Sequence, residues 1–142
     1  MIQALTDQTV TKVCVDSGAG ESVCPIDAFP SYATHKTAKT GVTYTAAGGQ
    51  ALINVGEKRP NFKCGGVDAW MAFQCTKVQK PLAAASKIAE KGNRIVLEDV
   101  DSESYILNKA SGKKIPLAIE HGVYMMQMLV KPWTPFQGQV KP

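Results

Sequence analysis

Apolar and polar positions alternate along much of the chain, which is the pattern of half-buried β-strands. The first clear example is Thr9–Asp16, where Val13 and Val15 alternate with Lys12 and Cys14 and β-branched residues predominate. This segment therefore predicts a strand that places one face in the core and ends at a carboxylate.

A hairpin is predicted within Gly41–Glu57, because two short β-prone runs flank Ala-Ala-Gly-Gly at residues 46–49. The tip of this hairpin carries almost no side chains. A further apolar strand is predicted at residues 69–78, with Trp70, Met71 and Phe73 as core residues. Four short strands follow within residues 94–100, 104–108, 113–119 and 122–130.

One segment has the pattern of a helix. Residues 81–93, PLAAASKIAEKGN, begin with a proline, continue through alanines and an isoleucine, and carry Gly92 as the stop signal. The prediction is a mainly β domain with one helix. With 142 residues and 44% hydrophobic composition, the chain is long enough for one such domain with a real core. Residues 1–8 and 131–142 are expected to be linker-like ends of it.

Charge and composition narrow the classes of partner. The net charge of +4 is spread along the chain without a basic block, which predicts no nucleic-acid partner. No apolar run approaches the ~20 residues that span a bilayer, and no leader precedes the domain, so we expect no membrane contact and an intracellular, cytoplasmic location.

The cysteines and histidines do not suggest a metal site. The four cysteines form no C-x-x-C pair, and the two histidines, His35 and His121, lie apart from them. We expect buried thiols, no metal and no cofactor. Cys14 and Cys24 flank the same short loop, so these two thiols could be oxidised together, and the sequence leaves their redox state open.

The stretch that carries chemistry is TKVCVDSGAGESVCP, residues 11–25. A dinucleotide fingerprint needs a glycine where Val23 stands, and Ser17 lacks the glycines of a nucleophile elbow. What remains is the Asp16 carboxylate followed by small residues. An isolated Asp-Ser-Gly is also typical of a turn in which the aspartate accepts a backbone N–H, so this alternative stays open.

Asp16-Ser17-Gly18-Ala19 after a hydrophobic strand resembles the active-site signature of aspartic proteases. In the same order along the chain, the glycine-tipped hairpin lies where those enzymes have a flap, and VQKPLAAASKIAEKGNRIVLED is similar to their second structural element. SYILNKASGKKIPLAIEHGVYMMQM is similar to the segment that follows the protease region in copia-type polyproteins. From about Lys12 to Met128, the chain thus resembles the retropepsin-like proteases of copia-type retroelements.

The resemblance implies a retropepsin-like acid protease fold: a closed, β-barrel-like domain with one short helix, active as a two-fold homodimer. It implies an aspartic endopeptidase that cuts polyprotein substrates in the cytoplasm or within retroelement particles. The implied site residues are Asp16 as the catalytic residue, Ser17, Gly18 and Ala19 in the active-site loop, Tyr44, Ala46, Ala47, Gly48 and Gly49 in the flap, and Leu82, Ala83 and Ala84 in the second structural element.

Three features qualify this interpretation. Alanines stand where the second element commonly has Gly or Ser, and Ser17 stands where Thr is common. Only one Asp-Ser-Gly exists in the chain, because the similar VDSES at residues 100–104 has Glu103 in place of the glycine. A pair of catalytic aspartates therefore requires two chains. The alternative function is a catalytically inactive dimerisation or peptide-binding module with the same fold.

Overall fold

The structure is a computed structural model that describes residues 9–134, and within this range it contains thirteen strands and one helix. The prediction of a mainly β chain with one short helix is confirmed. No helix in the described range is long and apolar enough to cross a membrane. Residues 1–8 and 135–142, which include most of the expected terminal linkers, lie outside the described range.

The elements follow one another in a fixed order. The helix, α1, spans Ala85–Glu90. The strands are β1 (Thr9–Asp16), β2 (Val23–Pro25), β3 (Thr43–Thr45), β4 (Ala51–Ile53), β5 (Gly56–Lys58), β6 (Asn61–Cys64), β7 (Val67–Trp70), β8 (Phe73–Thr76), β9 (Leu82–Ala84), β10 (Asn93–Val96), β11 (Ser104–Asn108), β12 (Lys114–Glu120) and β13 (Val123–Val130).

Eleven of these strands form one sheet in the order β10-β11-β12-β13-β1-β9-β2-β8-β5, and β6 branches from it by pairing with β13 and β7. The two remaining strands, β3 and β4, pair only with each other. Most pairs are antiparallel, whereas β1 with β9 and β2 with β8 are parallel.

The expected closed barrel is wrong for the described residues, because the terminal strands of the sheet, β10 and β5, do not pair with each other. The long strand β13 explains the open shape. It pairs with β12 near its start, with β1 along its length, and with β6 at Leu129 and Val130. The sheet therefore branches at β13 instead of closing on itself.

The core draws on strands from the two ends and from the middle of the described chain. Val13 and Val15 of β1 are buried, as the alternating pattern predicted. The largest fully buried apolar side chains come from β1, β6, β8, β12 and β13, and they are Val13, Phe62, Phe73, Leu117, Met126 and Met128. Burial of such side chains is the main force that holds the short strands together.

The predicted helix is shorter than its sequence pattern. Residues 82–84 form strand β9, and the helix begins at Ala85 and ends at Glu90, with Gly92 at a φ of +84° just beyond it. The stop at Gly92 is confirmed. Pairing of Leu82, Ala83 and Ala84 with β1 outweighs the helix propensity of the alanines, because propensity is a small term compared with tertiary contacts.

The strand predicted at residues 69–78 is interrupted between Trp70 and Phe73, where β7 ends and β8 begins. Phe73 is fully buried, as expected, and Met71 packs against the core. The assignment of Trp70 to the core is wrong, because this side chain is 43% exposed. Lys91 Nζ lies 4.6 Å from its ring centroid, which provides a cation–π contact in place of core packing.

Candidate active site

The topology places Asp16 at a junction of three strands. Asp16 is the last residue of β1 and pairs with Ala84 of the parallel strand β9. On its other side, β9 pairs with β2 through Leu82 and Val23. Strand β9 therefore lies between two strands that are consecutive in the chain, and the loop 17–22 that joins them passes the end of β9. The loop and the second structural element, far apart in sequence, are adjacent in space.

The Asp16 side chain is half-buried, and one of its oxygens has a fixed partner. The backbone N–H of Gly18 donates a hydrogen bond of 2.8 Å to Oδ1. This is the bond that the alternative of a simple turn also predicts. Within residues 9–134 no donor reaches Oδ2. The carboxylate is thus oriented by the loop and keeps one oxygen for a water molecule or for a group from another chain.

The residues around Asp16 are small. Ser17 and Gly18 are exposed and Ala19 is half-buried, so the loop presents little side-chain bulk beside the carboxylate. A Cβ placed on Gly18 would lie 3.4 Å from Asp16 Oδ1, which is at the limit of an ordinary contact. Little space therefore separates the backbone of the loop from the carboxylate that it orients.

Ser22 ties this loop to β9. Its side chain is buried, and its Oγ accepts a hydrogen bond of 2.9 Å from the backbone N–H of Ala84. The sequence analysis missed Ser22, since a serine beside a predicted loop carries no specific signal. Ala83 and Ala84 have no exposed surface, and β9 is flanked by strands on both sides. Small side chains allow this central strand to fit among its neighbours.

The predicted hairpin is confirmed as β3 and β4, with the tip at residues 46–50 closed by a hydrogen bond from Ala46 N–H to the Gln50 carbonyl. Ala47, Gly48 and Gly49 are exposed at the tip, and Gly49 has a φ of +86°, which favours glycine. Tyr44 is half-buried on the side of the hairpin that faces the domain.

The foot of the hairpin contacts the loop that follows Asp16. Lys39 Nζ lies 2.9 Å from Glu21 Oε2 in a salt bridge. The hydrogen bond that Lys39 donates to Glu21 raises the pKa of Lys39, although burial works against this change. The structure thus connects the hairpin region to the loop that follows Asp16 through side chains that the sequence analysis did not single out.

Joint oxidation of Cys14 and Cys24 does not fit the strand order. Strand β9 lies between β1 and β2, so the two cysteines are two strand spacings apart, about 9–10 Å. This exceeds the about 7 Å between Cα atoms that a disulfide spans. The Cys24 sulfur instead lies 3.8 Å from the Cys75 sulfur in the core. The contact with Cys75 and burial raise the pKa of the Cys24 thiol.

A cavity of about 620 Å³ lies near α1 and β7, and residues such as Glu21, Trp70 and Lys87 line it. Asp16 is not among the lining residues. Among residues 9–134, no group of three His, Cys, Asp or Glu side chains is placed to hold a metal ion.

Glu57 provides a prediction about pH. Its carboxyl group is buried, which opposes ionisation, but hydrogen bonds from Gln74 and Arg59 outweigh burial and hold its pKa below the ordinary value of 4.5. The ionised group therefore stabilises the fold above about pH 4.5, and this contribution is lost as the pH falls through the lowered pKa. We expect wild-type protein to lose more thermal stability than Glu57→Gln between pH 6 and pH 3. Equal losses in calorimetry would contradict this assignment.

The chain was also compared with known proteins. No protein-family model, curated protein or solved structure matched it. A function must therefore be argued from the residues and contacts of this chain itself.

Proposed function

We propose that this chain is a retropepsin-like aspartic endopeptidase of the copia type, which acts on polyprotein substrates as a homodimer. The observation that carries the proposal is the placement of Asp16. It ends β1, its carboxylate is oriented by Gly18, and the small-residue strand β9 passes between β1 and β2 beside it. This arrangement brings together the two sequence elements on which the resemblance to aspartic proteases rests.

The mechanism needs two carboxyl groups, one from each chain. Two aspartates held close together share one proton, because ionisation of the first disfavours ionisation of the second. The ionised Asp16 acts as a general base that takes a proton from water while the water oxygen bonds to the peptide carbonyl carbon. The C–N bond then breaks as the protonated Asp16 of the second chain donates its proton to the leaving amide nitrogen. The unengaged Oδ2 of each chain is the oxygen that this chemistry requires.

The hairpin supplies the second part of the proposal. An extended peptide between the β3–β4 hairpin and the Asp16 loop would form backbone hydrogen bonds, as an added strand does. The exposed tip at Ala47, Gly48 and Gly49 has no side chain larger than a methyl group to obstruct such a peptide. Closure of this tip over the substrate would exclude water from the reacting bond.

A peptide-cleavage assay tests the proposal. The full chain, incubated with a mixed peptide library at mildly acidic pH, should cut internal peptide bonds, and a statine-type transition-state analogue should block the cleavage. A metal chelator and a serine-directed reagent serve as controls and should have no effect. Peptide binding without cleavage would favour the inactive peptide-binding module instead, and inhibition by the chelator would overturn the proposed chemistry.

A further inference from the structure

The β3–β4 hairpin joins the domain through a polar junction. Its two strands form a sheet of their own, in which Tyr44 pairs with Leu52. Both side chains are half-buried, whereas Thr43 and Ile53 on the opposite face are exposed. Asn54, the first residue after β4, is only 1% exposed. A buried amide side chain therefore stands where the hairpin meets the rest of the chain.

All the hydrogen-bonding groups of the Asn54 side chain have partners. Its Nδ2 donates to Tyr44 Oη at 3.0 Å and to Gln74 Oε1 at 2.8 Å. Its Oδ1 accepts a hydrogen bond of 2.8 Å from the backbone N–H of Gly56. Asn54 thus connects β3 of the hairpin with β8 and β5 of the main sheet.

The connection continues through buried groups to the surface. Gln74 Nε2 donates to Glu57 Oε1 at 2.9 Å, and Arg59 Nε donates to Glu57 Oε2 at 2.6 Å. Gln74 is 2% exposed and Glu57 is 8% exposed. We name Tyr44, Asn54, Gln74, Glu57 and Arg59 the hairpin-root cluster. Each buried member is hydrogen-bonded to the next, so its polar groups have partners. The cluster therefore fixes the side-chain geometry at the junction.

We infer that Asn54 and Gln74 are positioning residues, and that the hairpin-root cluster sets the resting position of the hairpin relative to the Asp16 loop. The inference rests on the proposed function in one respect, namely that this hairpin closes over a peptide. The salt bridge between Lys39 and Glu21 supports it, because it links the foot of the same hairpin to the loop that carries Asp16.

The hydrogen bond from Asn54 Nδ2 to the Tyr44 hydroxyl is the one that motion of the hairpin should break. Tyr44 lies on the hairpin, whereas Gln74 and Gly56 lie in the main sheet. If the hairpin swings about its root, where backbone hydrogen bonds join Asn54 to Gly41 and Val42, the Asn54 side chain keeps its bonds to Gln74 and Gly56 and loses one bond, to Tyr44. A single hydrogen bond is a small barrier, so the cluster can hold the hairpin in place and still release it.

The test compares Tyr44→Phe with Tyr124→Phe. Both substitutions remove the hydroxyl of a half-buried tyrosine, and Tyr124 Oη donates to the Glu98 carbonyl, away from the hairpin. Substitution of Asn54 itself is less informative, because it leaves Gln74 Oε1 and the backbone N–H of Gly56 without the partner that Asn54 provides and endangers folding. Millisecond hydrogen exchange of the free protein should show about fivefold faster exchange in residues 43–53 of Tyr44→Phe, the effect of one hydrogen bond.

The control should leave exchange in residues 43–53 unchanged, and β1 should keep its protection in both variants. For peptide cleavage, Tyr44→Phe should raise KM severalfold, because the hairpin proposed to cover the peptide is no longer held in its resting position. Unchanged exchange in the Tyr44→Phe hairpin would overturn the inference even if the protein cleaves peptides. Faster exchange without any cleavage by wild-type protein would support the cluster and count against the proposed protease.

Discussion

Asp16→Asn protein should fold like the wild type and lose peptide cleavage by about 10²–10⁴-fold or more, the contribution typical of one general acid or base. The fold should survive because an asparagine side-chain oxygen can still accept the Gly18 N–H that now binds Asp16 Oδ1. Cleavage should not survive, because a neutral amide cannot take a proton from water.

The chain contains its own matched control. Asp101 is also followed by a serine, but it lies in an exposed turn, where its Oδ1 accepts a hydrogen bond of 3.2 Å from the backbone N–H of Ile119. Asp101→Asn should therefore retain wild-type turnover. Cleavage rates and circular dichroism of both variants provide the comparison. Retained turnover in purified Asp16→Asn, or its loss in Asp101→Asn, would contradict the assignment of Asp16.

A second large effect is expected when Asp16→Asn chains are mixed with wild-type chains. If the active species is a two-fold dimer, a mixed dimer has a single aspartate and should be inactive. After subunit exchange with a tenfold excess of Asp16→Asn chains, only about one wild-type chain in eleven has a wild-type partner, so activity should fall about elevenfold.

The appropriate control is the same excess of Asp16→Asn protein whose dimers have been chemically cross-linked beforehand, so that its chains cannot exchange. This mixture should leave the activity unchanged. The specific activity of wild-type protein alone should also fall on dilution as dimers dissociate. If the excess of Asp16→Asn has no effect under exchange conditions, a single chain is sufficient for catalysis and the dimer proposal fails.

The local sequence pattern was sufficient to predict the long strands and the turns. The alternation of Val13 and Val15 with polar neighbours predicted β1, and two β-prone runs around a glycine-rich tip predicted the hairpin. Gly92 predicted the end of the helix. These features depend on side-chain periodicity and on backbone conformations that glycine favours, and both are properties of residues close together in sequence.

Strand β9 shows what local pattern does not contain. Its alanines favour a helix by propensity, yet Leu82, Ala83 and Ala84 form a three-residue strand between β1 and β2. Strand β2 is equally short and was not predicted. Segments of three residues are too short for periodicity to identify them, so their structure depends on the partners that the rest of the fold provides.

The same distinction between local sequence pattern and tertiary structure applies to the candidate site. The sequence determined that a carboxylate, Asp16, ends a strand and is followed by small residues, and this sufficed for the resemblance to aspartic proteases. Only the tertiary structure showed that Ser22 binds β9, that Asn54 and Gln74 join the hairpin to the sheet, and that Trp70 is exposed. Hydrogen bonds between residues 20 or 62 positions apart leave no local pattern, because they exist only after the strands that carry them have paired.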